Sequence, residues 1–527
     1  MSTWGNLTRV FDRACAYYPD RTAVVEGDRR ITYREMRDWT NRIAHGLAAL
    51  GVAHGERVGM LLPNSLELVP TLFGIWRRGA TLVQMPARSG IDDWRYFLRE
   101  SHASTLIYHA QFDYAISKIR ADLPELKHLV RLGSPEGDSA VEAADYDDVF
   151  SNQPTDDFSA MITPDDIAYV AFTSGTTGVP KGIIQSHRSW SHYVITAGLE
   201  IGDTRPGEVF AHVAPLTHFT QIFLVPTFMR GGTNVVLPGF DIEKFLTTIQ
   251  QEKVTATAVV PTILYMLLDY PRLGDFDLSS LRTVVYAGSP MAPERLQQAL
   301  EVFGPIFVQT YAGSEPGFTT CLRKEEHRVD SDEWIKRLSS AGRPMFHVDV
   351  SIQDEHDNIL PPGEIGEICA RQEGQMVSYL DPEKNAEAMR GGWVHSGDIG
   401  YVDEDGYVYI VDRKKDMIIA GGYNIYPREV EEVLFEHPAV QEAAVIGVPD
   451  PYRGETVKAF IVLKEGAQVS EEELENHCRK RLAAYKIPRL YEFRKELPKT
   501  MVGKVLGRQL QEEEKKRSAD QDQVKTS

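Results

Sequence analysis

The sequence predicts an α/β protein of at least two domains, with a small α+β domain at its C-terminal end, and three observations carry that prediction. The chain has 527 residues, more than a single hydrophobic core usually organises. Apolar runs recur at VGMLL from Val58, LIYH, IAYVAF, NVVL, TATAVV and TVVYAG, separated by helical patterns. Strands alternating with helices are the mark of α/β architecture. Beyond about residue 411 the units become shorter, a change that sets off the α+β part.

Taken in order, Thr32 and Glu35 form a capping-box pattern ahead of Met36, Ile43, Leu47 and Leu50, and Gly51 follows as a stop. The spacing predicts an amphipathic helix. The acidic stretch from Gly133 to Ala160 breaks both helical and strand periodicity and reads as a surface connection. After GYVYIV come a helix in PREVEEVLFEH with Pro427 at its first turn, strands around AAVIGV and KAFIVLK, and a helix from Ser470. Ser470 and Glu473 make a second capping box, and Leu474, Cys478 and Leu482 share a face, so Cys478 is expected in a core. The final EEEKKRSADQDQVKTS has the composition of a frayed tail. No tandem repeat is visible.

The 76 acidic and 57 basic residues give a net charge of -19, which opposes attraction to nucleic acid and anionic lipid. Cys15, Cys321, Cys369 and Cys478 lie far apart and form no CxxC, so neither a disulfide framework nor a thiolate metal site is expected. The N-terminus carries Arg9, Asp12 and Arg13 without an apolar signal core, and VGMLLPNSLELVPTLFGIW is broken by Pro63, Asn64, Glu67 and Pro70. The expectation is an untargeted cytoplasmic protein with no membrane span.

The most informative segment is TSGTTGVPKG, Thr173 to Gly182, placed after the strand-like IAYVAF. Glycines let backbone N–H groups approach an anion closely, hydroxyls add donors, and Lys181 adds charge, so the loop suits phosphate. GxxxxGK[ST] does not match, so it is no Walker loop. A polar strand-to-helix turn is the alternative reading of those residues alone.

The loop resembles the signature of the adenylate-forming (AMP-binding) enzymes, which include acyl-CoA and aryl-CoA synthetases, peptide-synthetase adenylation domains and insect luciferases. The resemblance continues in order through AGSP (Ala287 to Pro290), QTYAGSE (Gln309 to Glu315), AGRP (Ala341 to Pro344), WVHSGDIG (Trp393 to Gly400), YIVDRKKDMIIAGGYNIYPREVE and PKTMVGKVLGR (Pro498 to Arg508). It implies a large N-terminal domain of several subdomains with layered sheets and helices, residues 1–411. A small mobile C-terminal domain, 412–510, would swing about a hinge at Asp412, leaving 511–527 as the polar tail.

The activity implied is an acid:CoA ligase: ATP turns a hydrophobic carboxylic acid into an acyl-adenylate, and the thiol of coenzyme A then takes the acyl group. Thr173, Ser174, Gly175, Thr176, Thr177, Gly178 and Lys181 would hold the phosphates, and Glu315 a Mg²⁺ ion. Gly288, Ser289, Pro290, Gln309, Thr310, Tyr311, Ala312 and Ser314 would enclose the adenylate. Asp398 would accept the ribose hydroxyls, with Arg413 and Ile410 nearby. Lys504 would bridge carboxylate and α-phosphate oxygens. Gly421, Gly422 and Tyr423 would admit CoA. His218, Phe219, Ala287 and Gly313 would shape the acyl pocket, with His218 also at the reacting end, and Gly313 leaving depth for a bulky acid.

Ala312 stands where the family motif YGxTE has glycine, and Ser314 where it has threonine. A Cβ at 312 would crowd the reacting groups by roughly 1 to 3 kcal/mol if glycine were needed for conformation or clearance. A thioester-forming ligase fed with acyl-adenylate by a partner enzyme is therefore an alternative, and Ala312→Gly would restore adenylation on that reading. An adenylation domain for amino acids is disfavoured because PLTHFTQIF offers no acidic residue; a luciferase-like oxygenase would share every motif; a nucleotide- or acyl-binding non-enzyme would not need Glu315, Asp398, Arg413 and Lys504 together.

Overall fold

A computed structural model of the chain describes residues 6–135, 141–173, 180–201, 205–217, 219–498 and 507–525. Its contacts form two compact units, Met1–Val350 with Cys369–Ser396, and Ser351–Ile368 with Gly397–Ser527.

The first unit contains two large sheets. One runs, in spatial order, Arg343–Pro344, Gly317–Leu322, Phe307–Gly313, Thr283–Tyr286, Ala256–Val259, Val209–His212, Thr233–Val236, Thr22–Glu26 and Arg29–Thr32. The other runs Ser378–Tyr379, Lys181–Ser186, Ile167–Thr173, Thr81–Gln84, Arg57–Leu61, Thr105–His109, His128–Leu132 and Ala144–Asp145. Both have parallel centres; the first is antiparallel at both margins, the second only at the Ser378–Tyr379 side, its other edge strand Ala144–Asp145 pairing in parallel. Thr81–Gln84, Ala256–Val259 and Thr283–Tyr286 are buried along their whole length, as parallel strands covered on both faces must be. The expected α/β alternation is what forms this unit.

The helix Tyr33–Ala49 begins at the predicted box: the Thr32 N–H donates to Glu35 Oε2 at 2.7 Å, and the Glu35 N–H to Thr32 Oγ1 at 3.2 Å. Met36, Ile43 and Leu47 are fully buried. Phe11 stacks on Phe73 with centroids 4.5 Å apart, both meet Phe228, and Trp76 Nε1 donates to the Ala168 carbonyl at 2.7 Å, tying this helical layer to the second sheet. The acidic stretch is not wholly surface: the short helix Tyr146–Phe150 buries both its aromatic ends, and Tyr146 Oη lies 2.8 Å from Thr71 Oγ1. The lone aromatics at this spacing were hidden among carboxylates.

In the second unit, Ile418–Ala420 pairs with Tyr423–Ile425 and Gly454–Leu463, which also pairs with Val440–Asp450 and, in parallel, with Leu490–Arg494. The helices Pro427–Phe435 and Glu471–Arg479 complete the α+β pattern. The Ser470/Glu473 box forms, and Leu474 and Cys478 are buried, with burial pushing the Cys478 thiol up to about 11. All four cysteines are buried and none is in a disulfide.

Two boundaries differ from expectation. Contacts divide the chain at 350/351, 368/369 and 396/397 rather than at 411/412, because Val394–Val402 pairs with Val408–Arg413 and the Asp412 carboxylate accepts the N–H of Arg413 at 2.7 Å and of Arg428 at 2.8 Å. The segment read as a frayed tail is helical over Gly507–Lys525. Leu510 buries itself among Ala444, Ile446, Val448, Phe460, Val462 and Leu497. Lys458 pairs with Glu492 and Glu514, Arg494 with Glu513, and Arg517 with Glu492. One apolar anchor and a set of long-range ion pairs leave no periodic trace in the sequence. No helix among the described residues is long and apolar enough to cross a membrane.

Candidate functional site

The predicted motifs of the first unit gather where strands end. AGSP follows the carboxyl end of Thr283–Tyr286, and Tyr311 to Glu315 close the neighbouring strand Phe307–Gly313. In open parallel sheets ligands bind outside those ends. Ser289 is half-buried, whereas Gly288, Pro290 and Ser314 are exposed. Beneath them Tyr286 Oη lies 3.1 Å from Gln309 Oε1 and 3.0 Å from His327 Nε2, while His327 Nδ1 lies 2.8 Å from the Arg323 carbonyl. Burial holds His327 neutral at about 4. This buried triad fixes the orientation of Gln309.

Thr173 and Lys181 face each other across the antiparallel pair Ile167–Thr173 and Lys181–Ser186. The loop residues Ser174, Gly175, Thr176, Thr177 and Gly178 lie outside the described residues, as do His218 and Lys504. Lys181 Nζ sits 5.1 Å from the centroid of the Tyr379 ring, and Tyr379 Oη donates to Glu315 Oε1 at 2.9 Å. A cation, an aromatic face and a carboxylate from three parts of the sequence thus meet. Burial, and then Glu315 beside it, push the Tyr379 phenol well above the ordinary tyrosine range. Tyr379 stays protonated and can only donate to that carboxylate.

Beside Ala312, which pairs with Phe318, lies an aromatic part of the core. Phe219 and Phe223 meet edge to face at 5.5 Å, Tyr193 and Phe318 at 4.6 Å, and Phe219 also faces Phe318 at 6.4 Å. Phe219 and Ala312 pack on the same core cluster. Ala287 is buried.

The second unit carries the rest of the set. Asp398 is buried opposite Arg413 in the strand pair, with Oδ1 3.0 Å from Arg413 Nε, and Gly400 faces Ile410. Glu367 accepts from the Gly397 N–H at 3.1 Å and from Lys414 Nζ at 2.9 Å, holding the GD turn. Burial pushes the Asp412 carboxyl up. Gly421 and Gly422, at φ +62° and +83°, form the two-residue loop of the hairpin that pairs Ala420 with Tyr423, a turn that demands left-handed backbone at both positions. Tyr423 stacks on Tyr485 with centroids 4.5 Å apart.

The profile described as AMP-binding enzyme matches residues 11–380, and that of the AMP-binding enzyme C-terminal domain matches 429–504. The chain belongs to the AMP-binding enzyme family. Within it, the chain lies in the acyl-CoA synthetase branch. It is 37% identical to a feruloyl-CoA synthase from Amycolatopsis sp over 93% of this chain and 95% of the relative. It is 36% identical to a long-chain-fatty-acid–CoA ligase from Bacillus subtilis (strain 168) over 96% of this chain and 94% of the relative. Among solved structures, the anthranilate CoA ligase AuaEII in complex with anthranoyl-AMP matches with a TM-score of 0.86 at 31% identity, covering 98% of this chain and 99% of that one.

Two positions of the QTYAGSE motif, Ala312 and Gly313, acquire physical reasons. Ala312 is extended backbone in the strand Phe307–Gly313, paired with Phe318 after a register shift. Its methyl packs on the core, so the conformational reason for requiring glycine there is absent. At Gly313 a Cβ would come within 2.8 Å of the Pro316 ring, so local packing by itself demands the small residue. Sequence reasoning missed Tyr379, Phe318, Glu367 and the Tyr286–His327 pair. Tyr379, in the strand-like run VSYL, was the one with a visible signal.

Proposed function

We propose that the protein is an acid:CoA ligase that activates a hydrophobic carboxylic acid as its acyl-adenylate and transfers the acyl group to coenzyme A. The observation that carries the reading is the meeting of Lys181, Tyr379 and Glu315 beside the AGSP and QTYAGSE turns. In the first half-reaction a carboxylate oxygen of the acid bonds to the α-phosphorus of ATP, and the bond from that phosphorus to pyrophosphate breaks. In the second, the thiol sulfur bonds to the acyl carbon, the thiol proton passes to solvent, and AMP leaves.

Lys181 and the loop from Thr173 neutralise the leaving phosphates, and Gly288, Ser289, Pro290, Tyr311 and the Gln309 carboxamide enclose the base. Asp398, held by Arg413, accepts the ribose hydroxyls. Among the described residues no group of three or more His, Cys, Asp or Glu could hold a metal unaided. Glu315, a carboxylate held by Tyr379, offers the hard oxygen that suits Mg²⁺, an ion that arrives with phosphate and water ligands and takes one or two from protein. Mg²⁺ bound there supplies charge neutralisation on the phosphates. Lys504 steadies the charge developing between carboxylate and α-phosphate. A swing about Asp412 then exchanges Lys504 for the Gly421–Gly422 hairpin, which admits the CoA arm.

Half-buried Phe219, backed by Phe223 and Phe318 in the core, supports an apolar acid, as do relatives named for feruloyl-CoA and long-chain fatty acids. Four buried cysteines that form no disulfide suit a reducing, cytoplasmic setting. The extended backbone at Ala312 supports a complete ligase over one supplied with adenylate by a partner. The test is acid-dependent ATP–pyrophosphate exchange across a panel of aromatic and aliphatic acids, run beside thioester formation from the matching acyl-adenylates. Activity in both is expected. Thioester formation without exchange by any acid would replace this reading with the partner-fed one, and silence in both would end it.

A further inference from the structure

One short segment ties together the two groups expected to handle triphosphate. From 376 to 380 the backbone runs between the phosphate-loop strand and the Glu315 turn. On one side the Val377 N–H donates to the Ile184 carbonyl at 2.9 Å and the Leu380 N–H to the Gly182 carbonyl at 2.7 Å. On the other the Met376 N–H donates to the Glu315 carbonyl at 2.8 Å, and Tyr379 Oη to the Glu315 carboxylate at 2.9 Å. Tyr379 is itself fixed, with its N–H on Asn385 Oδ1 at 2.7 Å, its position opposite Ile183 in the strand pair, and only 4% of its surface exposed.

We propose that Tyr379 is a positioning residue that sets the separation and orientation of the Lys181 ammonium and the Glu315 carboxylate, so that both engage one MgATP. The inference rests on the nucleotide site argued above. The ring face attracts the ammonium at 5.1 Å, and the hydroxyl occupies Glu315 Oε1, which directs the rest of that carboxylate toward the ion. Lys181 and Glu315 are 134 residues apart, one in a strand of the second sheet and the other in a turn joining two strands of the first, so without this side chain each would keep its own rotamer freedom. Tyr379 touches neither the acid nor the thiol in this assignment; its influence passes through its two neighbours.

The test uses the full-length protein. MgATP binding is measured by calorimetry over a range of Mg²⁺ concentrations, and the Michaelis constants for MgATP and for the acid are taken from pyrophosphate exchange. Tyr379→Phe keeps the ring and removes the hydroxyl. It should weaken MgATP binding and raise KM for MgATP about tenfold, demand more Mg²⁺ for half-saturation, and leave KM for the acid within twofold. The double variant Tyr379→Phe/Glu315→Ala should bind MgATP no more than twofold worse than Glu315→Ala alone, since the hydroxyl would have no side-chain acceptor left to orient. Wild-type binding by Tyr379→Phe, or losses that multiply in the double variant, would overturn the assignment. If the wild type binds MgATP yet exchanges with no acid, the proposed activity fails while the binding arm still decides Tyr379. If it binds no MgATP, both fall.

Discussion

At the residue scale, the electrostatics of this site rest on side chains that work through charge placed by others. Lys504 lies in PKTMVGK and is assigned the bridging of carboxylate and α-phosphate; Lys504→Ala should lower acid-dependent pyrophosphate exchange by roughly 100- to 1000-fold, the scale of one preorganised transition-state donor. Thioester formation from a supplied acyl-adenylate should fall far less, because the phosphoryl step is already complete, and comparing the two rates checks the assignment. Ala312 makes the opposite case. Its backbone is extended and its methyl packs on the core, so Ala312→Gly should leave exchange within about twofold and lower stability by roughly 0.5 to 1 kcal/mol through added chain freedom. A large gain in exchange would revive the idea that the methyl obstructs the reacting groups. Gly313 teaches a related point: the space it leaves is claimed by the Pro316 ring, so substrate size cannot be read from it.

At the element scale, the capping boxes at Thr32/Glu35 and Ser470/Glu473 formed as their spacing predicted, since every group in a capping box lies within four residues. The helix Gly507–Lys525 escaped notice because its stability comes from elsewhere in the chain. Leu510 fills a pocket whose walls are Ala444 to Val462, and Lys458 reaches Glu514 across 56 residues of sequence. Leu510→Ala should cost about 2 to 5 kcal/mol of local stability, seen as faster amide exchange over 507–517 with the strands Val440–Asp450 and Gly454–Leu463 still protected. The hairpin at Gly421–Gly422 shows how a motif serves two readings. Both glycines are at positive φ because the two-residue turn needs them, and the same bare backbone is what a pantetheine arm would pass.

At the scale of the whole molecule, the larger unit encloses His187, His212 and His327, each held at about 4 by burial. The folded state refuses protons that the unfolded chain takes up below about 6.5, so this part of the stability is intact at neutral pH and is lost as pH falls from 6.5 toward 4. Each histidine that stays neutral costs about 2 kcal/mol by pH 5. Denaturant midpoints measured by tryptophan fluorescence should therefore drop steeply between pH 6.5 and 5 and stay level between 7 and 8. Replacing His212 by Gln should flatten that slope.

The sequence by itself determined what is local or written in contiguous motifs: helix starts, alternating strands, a glycine- and hydroxyl-rich loop whose composition suits phosphate, and the order of family signatures from TSGTTGVPKG to PKTMVGKVLGR. Only the tertiary structure decided that Tyr379 lies between Lys181 and Glu315, that Gln309 stands on Tyr286 and His327, and that a polar terminal segment is a docked helix. Caps and strand alternation depend on neighbours a few residues away and leave a pattern in the chain. A hydrogen bond from Tyr379 to Glu315 joins residues 64 apart, and such a partner is selected by sheet order and packing, which no spacing within either segment encodes.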